Sequence, residues 1–359
     1  MIPKKADRLL KVGILGCGPI AQFAHLEACQ KAKNVELYAI CDVAEDLVAR
    51  LADFYQPQKT YLSYVEMLAD TELEAVIIAI ADAFHIEASR MAIAAGKHVL
   101  VEKPLGMDIE ACEALIKLQE NSMVKVQVAH MKRFDPGIVY AQKFVQEAIG
   151  ELIALKAWYC DSSQRYDATD SLHPVHIQSE VAKKPAVNPK ADLEKYYMLA
   201  HGSHLLDTAY FLAGEIKSVQ ARLVKKEGIY NWFVDTEFEN GCNGHLDLTV
   251  AIRADWHEGF HIYGTEGSVF AKTYNPWYYK PTEVQCYSEK KKLFSQPLDN
   301  NANFYKLQLE SFADYIFGNS KQVGTNLTEG MHSVRGMVAI AQSVATGQRI
   351  YLKDVKGAL

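Results

Sequence analysis

Val12-Gly13-Ile14-Leu15-Gly16-Cys17-Gly18-Pro19-Ile20-Ala21 is the stretch on which the fold of this chain turns. The apolar run reads as a buried strand, and it passes directly into a G-x-G-x-x-A turn that opens a helix. Gly16 permits the tight turn, Gly18 lets a pyrophosphate approach the backbone, and Ala21 keeps the helix close to the sheet. Pro19 suits the first helical turn because it lacks an N–H and has a fixed φ. The free amides around it and at Ile20, with the positive end of the helix, are then available to phosphates. Asp42 ends the next run, Leu37-Tyr38-Ala39-Ile40-Cys41, where a carboxylate accepts hydrogen bonds from an adenosine ribose and repels a 2′-phosphate. The pattern predicts a dinucleotide site that takes NAD, with NADP as the second possibility. The plainer alternative is an ordinary βα turn with a solvated Asp42.

Outward from this turn, strands near 11–15, 35–41, 74–81, 97–101 and 124–129 alternate with amphipathic helical stretches, Leu47, Val48, Leu51 and Phe54 forming one such face. That is the pattern of a parallel sheet covered on both faces by helices. Ser63 and Glu66 make a capping box for a short helix, and Gly96 suits the residue just past a helix end. Residues 1–130 hold seven aromatic residues and none of the four tryptophans, so a different architecture begins near 129. There Leu246, Leu248, Val250 and Ile252 share one face of a strand after Asn240-Gly241 and Asn243-Gly244 turn signals, which predicts antiparallel sheet. Helical patterns near 136–147, 202–213, 303–317 and 329–345 make this half α+β. The expected division is 1–128 and 129–359, with a long polar loop from Asp161 to Lys195.

A length of 359 residues fits two domains, and 49% apolar with 23% charged residues is the composition of a packed chain. A net charge of −6 gives no electrostatic reason to approach nucleic acid or an anionic membrane. The longest unbroken apolar run, Ala75 to Ala81, is far short of the roughly 20 residues that span a bilayer. The first residues have no apolar segment typical of an export signal, so a cytoplasmic location is expected. Seven cysteines without a C-x-x-C pair read as reduced thiols and not as a metal site or a disulfide framework.

Two positions carry candidate chemistry. His98-Val99-Leu100-Val101 is a strand ending in Glu102-Lys103-Pro104, and ligands of an open parallel sheet sit at the carboxyl ends of its strands. Lys103 is therefore expected near a nicotinamide, where a cationic ring and desolvation lower its pKa toward the range useful in proton transfer. A surface lysine on a turn is the bland alternative. His201-Gly202-Ser203-His204-Leu205-Leu206-Asp207 opens an apolar helix. His204 is the expected proton acceptor, since histidine as a residue type ordinarily titrates near neutral pH, with Asp207 at i+3 orienting it. Seen alone, such a histidine is more often a cap or a packing residue.

Other motifs weigh less. His257-Glu258-Gly259-Phe260-His261 matches H-E-x-x-H but continues as a strand, where the two histidines would stand about 13 Å apart, too far to share a zinc ion. His173-Pro174-Val175-His176 with Glu180 lacks helical spacing, and no metal is expected. Tyr166, in the polar loop, is the aromatic residue best placed to touch a substrate.

The order of Gly16 to Ala21, Glu102-Lys103-Pro104, Gly202 to Asp207, Gly264-Thr265-Glu266-Gly267 and Gln127 to Asp135 resembles the glucose-fructose oxidoreductase, inositol dehydrogenase and MocA family across nearly the whole chain. The resemblance implies a Rossmann domain with a doubly wound parallel sheet, followed by an α+β domain with a large, mostly antiparallel open sheet. It also implies a homodimer or homotetramer formed through that sheet. Lys103 and His204 take the family's catalytic positions, and sugars or polyols are the implied substrates. Lys103, Tyr166, His201, His204 and Asp207 are the expected substrate contacts. Ala81, His85, Glu102, Lys103 and Arg133 are the expected cofactor contacts beyond Gly16, Gly18, Pro19, Ile20 and Asp42. Two places depart from the family: Ala200 stands where an aspartate is usual, and Ala81-Asp82 where Pro-Asn is frequent. The expectation is an NAD-dependent dehydrogenase of a secondary alcohol. The alternatives are a cofactor-binding sugar sensor with weak activity and an NAD-dependent glycoside hydrolase that uses transient oxidation.

Overall fold

The computed structural model describes residues 6–163, 176–181, 191–298 and 301–359. Tyr166 and His173 lie outside them. The chain forms two compact units, one of residues 1–131, 173–191 and 305–331, the other of 132–172, 192–304 and 332–359. Where the sequence suggests a single cut near 128, the chain in fact returns to the first unit. Asn34 Nδ2 donates to the Glu310 carbonyl and to Asp314 Oδ1, both at 2.9 Å, and Val128 bridges to Thr325. These are long-range pairings that no local pattern announces.

In the first unit six parallel strands lie in the order β3-β2-β1-β4-β5-β6. They are β1 (Leu10–Leu15), β2 (Val35–Cys41), β3 (Lys59–Tyr61), β4 (Ala75–Ile78), β5 (His98–Glu102) and β6 (Val126–Ala129). Central β1, β4 and β5 are buried nearly throughout, as sheets covered on both faces require. β3 is an addition to the five expected strands: at three residues on the sheet edge it is too short for a periodic signal. The strand order reverses at β1, between β2 and β4, which makes the carboxyl end of β1 the switch point where such sheets open a crevice. Ser63 caps its helix by accepting from the Glu66 amide, and Gly96 takes φ +73° past the helix His85–Ala94.

The second unit is a nine-stranded mixed sheet in the order β14-β13-β12-β11-β7-β10-β9-β8-β15. Long strands β7 (Leu152–Ser162), β8 (Ile216–Lys226), β9 (Ile229–Phe238), β10 (Asn243–Ile252) and β11 (His257–Gly264) form its centre. β12 (Gly267–Thr273), β13 (Glu283–Ser288), β14 (Leu293–Ser295) and β15 (Ile350–Tyr351) complete it. β7 pairs parallel with β10 and antiparallel with β11. Leu246, Leu248 and Val250 are buried as expected, but Ile252 is not: Ala251, at φ +64°, forms a bulge that shifts the register and breaks the alternation. The turn into β10 uses Asn240-Gly241, with Gly241 at φ +85°. Gly244 instead sits inside the strand, where a Cβ would come within 2.0 Å of Thr236 Oγ1.

Asp161 and Ser162 belong to β7, and Leu193–Tyr197 is helical, so the expected loop is shorter at both ends. H-E-x-x-H lies on strand β11. Among the described residues no helix is long and apolar enough to cross a membrane.

Candidate functional site

The nucleotide turn is built by backbone geometry. Gly16 has φ +92°, and a Cβ there would lie 2.5 Å from the Ala79 carbonyl oxygen, so no side chain fits. Its amide donates to the Cys41 carbonyl at 2.8 Å, tying the turn to the end of β2. Across the turn, Asp42 Oδ2 accepts from the Cys17 amide at 2.8 Å and Oδ1 from the Ala44 amide at 3.0 Å. These two bonds fix the carboxylate plane and leave lone pairs on both oxygens. A Cβ at Gly18 would meet nothing within 4 Å, and Pro19 beside it is exposed. A turn that is open above its second glycine, with an anchored carboxylate at the tip of the next strand, fits a dinucleotide: phosphates over Gly18 and Ile20, ribose hydroxyls at Asp42. Gln22 steadies the helix behind it: its Nε2 donates to the carbonyls of Cys17 and Ile177, both at 2.9 Å, and its Oε1 accepts from the Ile177 amide at 3.0 Å.

At the end of β5, buried Glu102 lies 2.8 Å from Nε2 of buried His25 and accepts the Lys103 amide at 3.2 Å. Burial works to raise the Glu102 pKa, but the His25 hydrogen bond and the charges of His25, Lys103 and His85 outweigh it and hold the carboxyl below its ordinary value. Lys103 is half-buried and precedes a cis bond to Pro104. His85 is buried, its ring nitrogens 2.7 Å from the Pro104 and 3.1 Å from the Ile80 carbonyl oxygen. Ala81 is exposed and starts the short turn Asp82–Phe84.

A carboxylate with a depressed native pKa gives stability that is complete above the unfolded value, about 4.3 for Glu, and is lost as pH falls through the native one. The gap in melting temperature between wild type and Glu102→Gln is therefore expected to close on acidification from pH 7 toward pH 3. A gap independent of pH would show that ionisation of Glu102 is not linked to folding.

In the second unit, one face of β7 meets the helical turns around His204. Tyr159 and Asp161, two residues apart, both project to this buried face. His204 leads the helix Ser203–Ala213, and its ring is parallel to the Tyr159 ring at 6.0 Å between centroids. His201 lies in a wide π-helical turn, Met198–Gly202, of the kind frequently found at functional sites. Its Nδ1 is 3.4 Å from the Tyr159 hydroxyl, and its Nε2 is 3.4 Å from Asp161 Oδ2. The Lys132 ammonium lies over the Tyr159 ring at 4.4 Å and pairs with Glu258, which also accepts from Trp256 Nε1 at 3.2 Å. Burial pushes Lys132 down and Glu258 up, each opposed by the other's charge.

Asp207 accepts two hydrogen bonds from Arg133 Nε, both at 3.1 Å, and one from its terminal nitrogen at 2.7 Å. The guanidinium also lies over the Tyr210 and Phe211 rings, at 5.7 and 5.1 Å. The structure thus gathers His201, His204, Arg133 and Asp207 in one unit and Gly16, Gly18, Pro19, Ile20, Asp42, Ala81, His85, Glu102 and Lys103 in the other. Lys132, Tyr159, Asp161 and Glu258 were not among the site residues expected from the sequence. For Tyr159, Asp161 and Glu258 the signal that could have found them is charge and aromaticity at positions whose strand alternation predicts burial; Lys132 lies in the short turn Met131–Phe134, outside any strand.

Residues 10–130 match the model of an oxidoreductase family with an NAD-binding Rossmann fold, and residues 140–270 match the GFO/IDH/MocA C-terminal domain. The 1,5-anhydro-D-fructose reductase of Ensifer adhaerens is 24% identical over 346 residues, 94% of this chain and 96% of that protein. The inositol 2-dehydrogenase/D-chiro-inositol 3-dehydrogenase of Shouchella clausii is 31% identical over 179 residues, 47% of this chain and 51% of that protein. Levoglucosan dehydrogenase, in complex with NADH and levoglucosan, superposes with a TM-score of 0.78 over 96% of this chain and 100% of its own, at 19% identity, a likeness of fold. Both family models match along one chain, and the first begins on the strand that carries the glycine turn, so this protein belongs to the GFO/IDH/MocA family of NAD-binding oxidoreductases.

Proposed function

We propose that this protein is a dehydrogenase that oxidises a secondary alcohol of a sugar, inositol or related polyol, or reduces the matching ketone, with NAD preferred over NADP. The observation that carries the reading is the nucleotide turn, open above Gly18 with the Asp42 carboxylate anchored beside it. The substrate class rests on the names of the relatives, which include an inositol dehydrogenase and an anhydrofructose reductase.

When bound, the cofactor takes up or supplies the hydride. The rest is the work of this chain. Backbone amides of the turn bind phosphate, and Asp42 binds ribose hydroxyls and repels a 2′-phosphate. Ala81, His85, Glu102 and Arg133 complete the cofactor surroundings. Lys103 supports the substrate oxygen as its charge changes, and His204 takes the hydroxyl proton during oxidation. His201 and Asp207, with Tyr166, hold the remaining hydroxyls. The exposed Val224, Phe233 and Phe294 of the second sheet support a homodimer or homotetramer formed through that face, and seven buried thiols fit a reducing compartment such as the cytoplasm.

Following reduced-cofactor absorbance over a panel of sugars, inositols and polyols tests the reading. NAD-dependent turnover of at least one of them is expected; NADH binding with no turnover across the panel would favour a sensor. Asp42→Ser is expected to weaken NADH binding about tenfold, measured by fluorescence titration, and to narrow the preference over NADPH. Tighter NADPH than NADH binding by the wild type would overturn the role of Asp42.

A further inference from the structure

Two polar side chains of the helical segment after the glycine turn are buried, three positions apart. Gln22 bonds the Cys17 carbonyl of the turn, and His25 reaches the end of β5, where its Nε2 stands 2.8 Å from Glu102 Oε1. His25 closes the π-helical turn Ala21–His25, a widened turn of the kind often found at functional sites. His25 and Glu102 are 1% and 6% exposed, and a carboxylate is buried that deeply only where hydrogen bonds offset the cost. Because its carboxyl is held below the ordinary value, Glu102 is ionised near neutral pH and can only accept; the hydrogen of this contact therefore sits on His25 Nε2. The other oxygen of Glu102 accepts from the Lys103 amide at 3.2 Å. One carboxylate thus joins an imidazole on the nucleotide helix to the backbone of Lys103. Tyr305 stands edge-on to the His25 ring, centroids 5.8 Å apart and planes at 81°, which restricts the imidazole. All four residues belong to the first unit.

We infer that His25 is a positioning residue for Lys103, acting through the Glu102 carboxylate that it orients. The inference rests on Lys103 being the residue that supports the substrate oxygen. Glu102 uses one oxygen toward His25 and the other toward the Lys103 amide, so the first bond fixes the plane in which the second is made. Without the imidazole the carboxylate is free to turn, and the backbone at Lys103 loses its fixed partner. A long side chain magnifies a small tilt at its own amide, and a misplacement of about 1 Å at a reacting centre can cost about 10²-fold in rate. Cofactor affinity is set elsewhere: the Gly16 amide is held by the Cys41 carbonyl, and Asp42 by the amides of Cys17 and Ala44.

The first test is hydrogen exchange of the whole protein without cofactor. In His25→Phe, which keeps a ring against Tyr305 but no donor, exchange at the Lys103 amide is expected to quicken about tenfold while Val99–Val101 of the same strand stay unchanged. His25→Gln should behave like wild type, because its amide puts a donor where Nε2 stood. A merely structural role would quicken exchange along all of β5 and show no such rescue. The second test is turnover of the best panel substrate with saturating NAD. His25→Phe is expected to lower kcat about 10- to 100-fold with NADH affinity unchanged, and to cost nothing further in a Lys103→Ala background, where the residue it places is gone. Exchange at Lys103 that is unchanged, or raised equally along β5, overturns the inference. So does an unchanged kcat, or a loss of kcat equally large with and without Lys103. Should His25→Phe not fold, His25→Asn, whose amide is too short to reach Glu102, takes the same measurements. Full turnover by Lys103→Ala sinks the underlying reading instead, and the exchange experiment, which needs neither cofactor nor substrate, keeps the two failures apart.

Discussion

His204→Ala is expected to lower kcat/KM for alcohol oxidation by about 10²- to 10⁴-fold, the range general-base catalysis supplies. NADH binding should change little, because the proposed phosphate, ribose and other cofactor contacts do not include the imidazole. The expectation follows from place as much as from residue type. His204 is 8% exposed at the head of an apolar helix, its ring parallel to the Tyr159 ring, so its neighbours restrict the imidazole. The deficit should shrink as pH rises, since hydroxide replaces a missing base increasingly well. Turnover equal to wild type would remove His204 from the chemistry.

The largest effect on stability is expected from Asp207→Ala. The Arg133–Asp207 pair is almost fully buried, and removing the carboxylate takes from an interior guanidinium the anion it is hydrogen-bonded to. Breaking such a pair from one side costs about 3–5 kcal/mol, which lowers the melting temperature of the second unit by about 6–20 °C. Replacing both partners, Arg133→Met with Asp207→Leu, should recover much of the loss because no uncompensated charge remains. A single variant no less stable than the double one would show that the ion pair is not what the fold depends on. The same proteins separate two roles for Asp207: if it also orients His204, the double variant refolds its stability without regaining kcat.

The fold was legible where it depends on local conformation or on period. Gly16 is specified by a backbone at φ +92° that admits no Cβ, and that requirement is written in the G-x-G-x-x-A pattern. The alternation of buried strands with amphipathic helices similarly gave five of six parallel strands, missing β3, whose three residues carry no period. Bulges were less legible. Ala251 turns Ile252 out of the buried row by adopting φ +64°, a conformation that alanine does not advertise.

Sequence alone determined the nucleotide turn, its acidic partner Asp42 and the two-part architecture, because each follows from what a few adjacent residues can and cannot do sterically. Only the tertiary structure decided the company His204 keeps. Tyr159 and Asp161 come from β7, Glu258 from the paired strand β11, and Lys132 from the chain just past β6. Charge compensation in a dry interior is settled by distance through space: His201 and Asp161 are forty positions apart in the sequence and 3.4 Å apart in the fold.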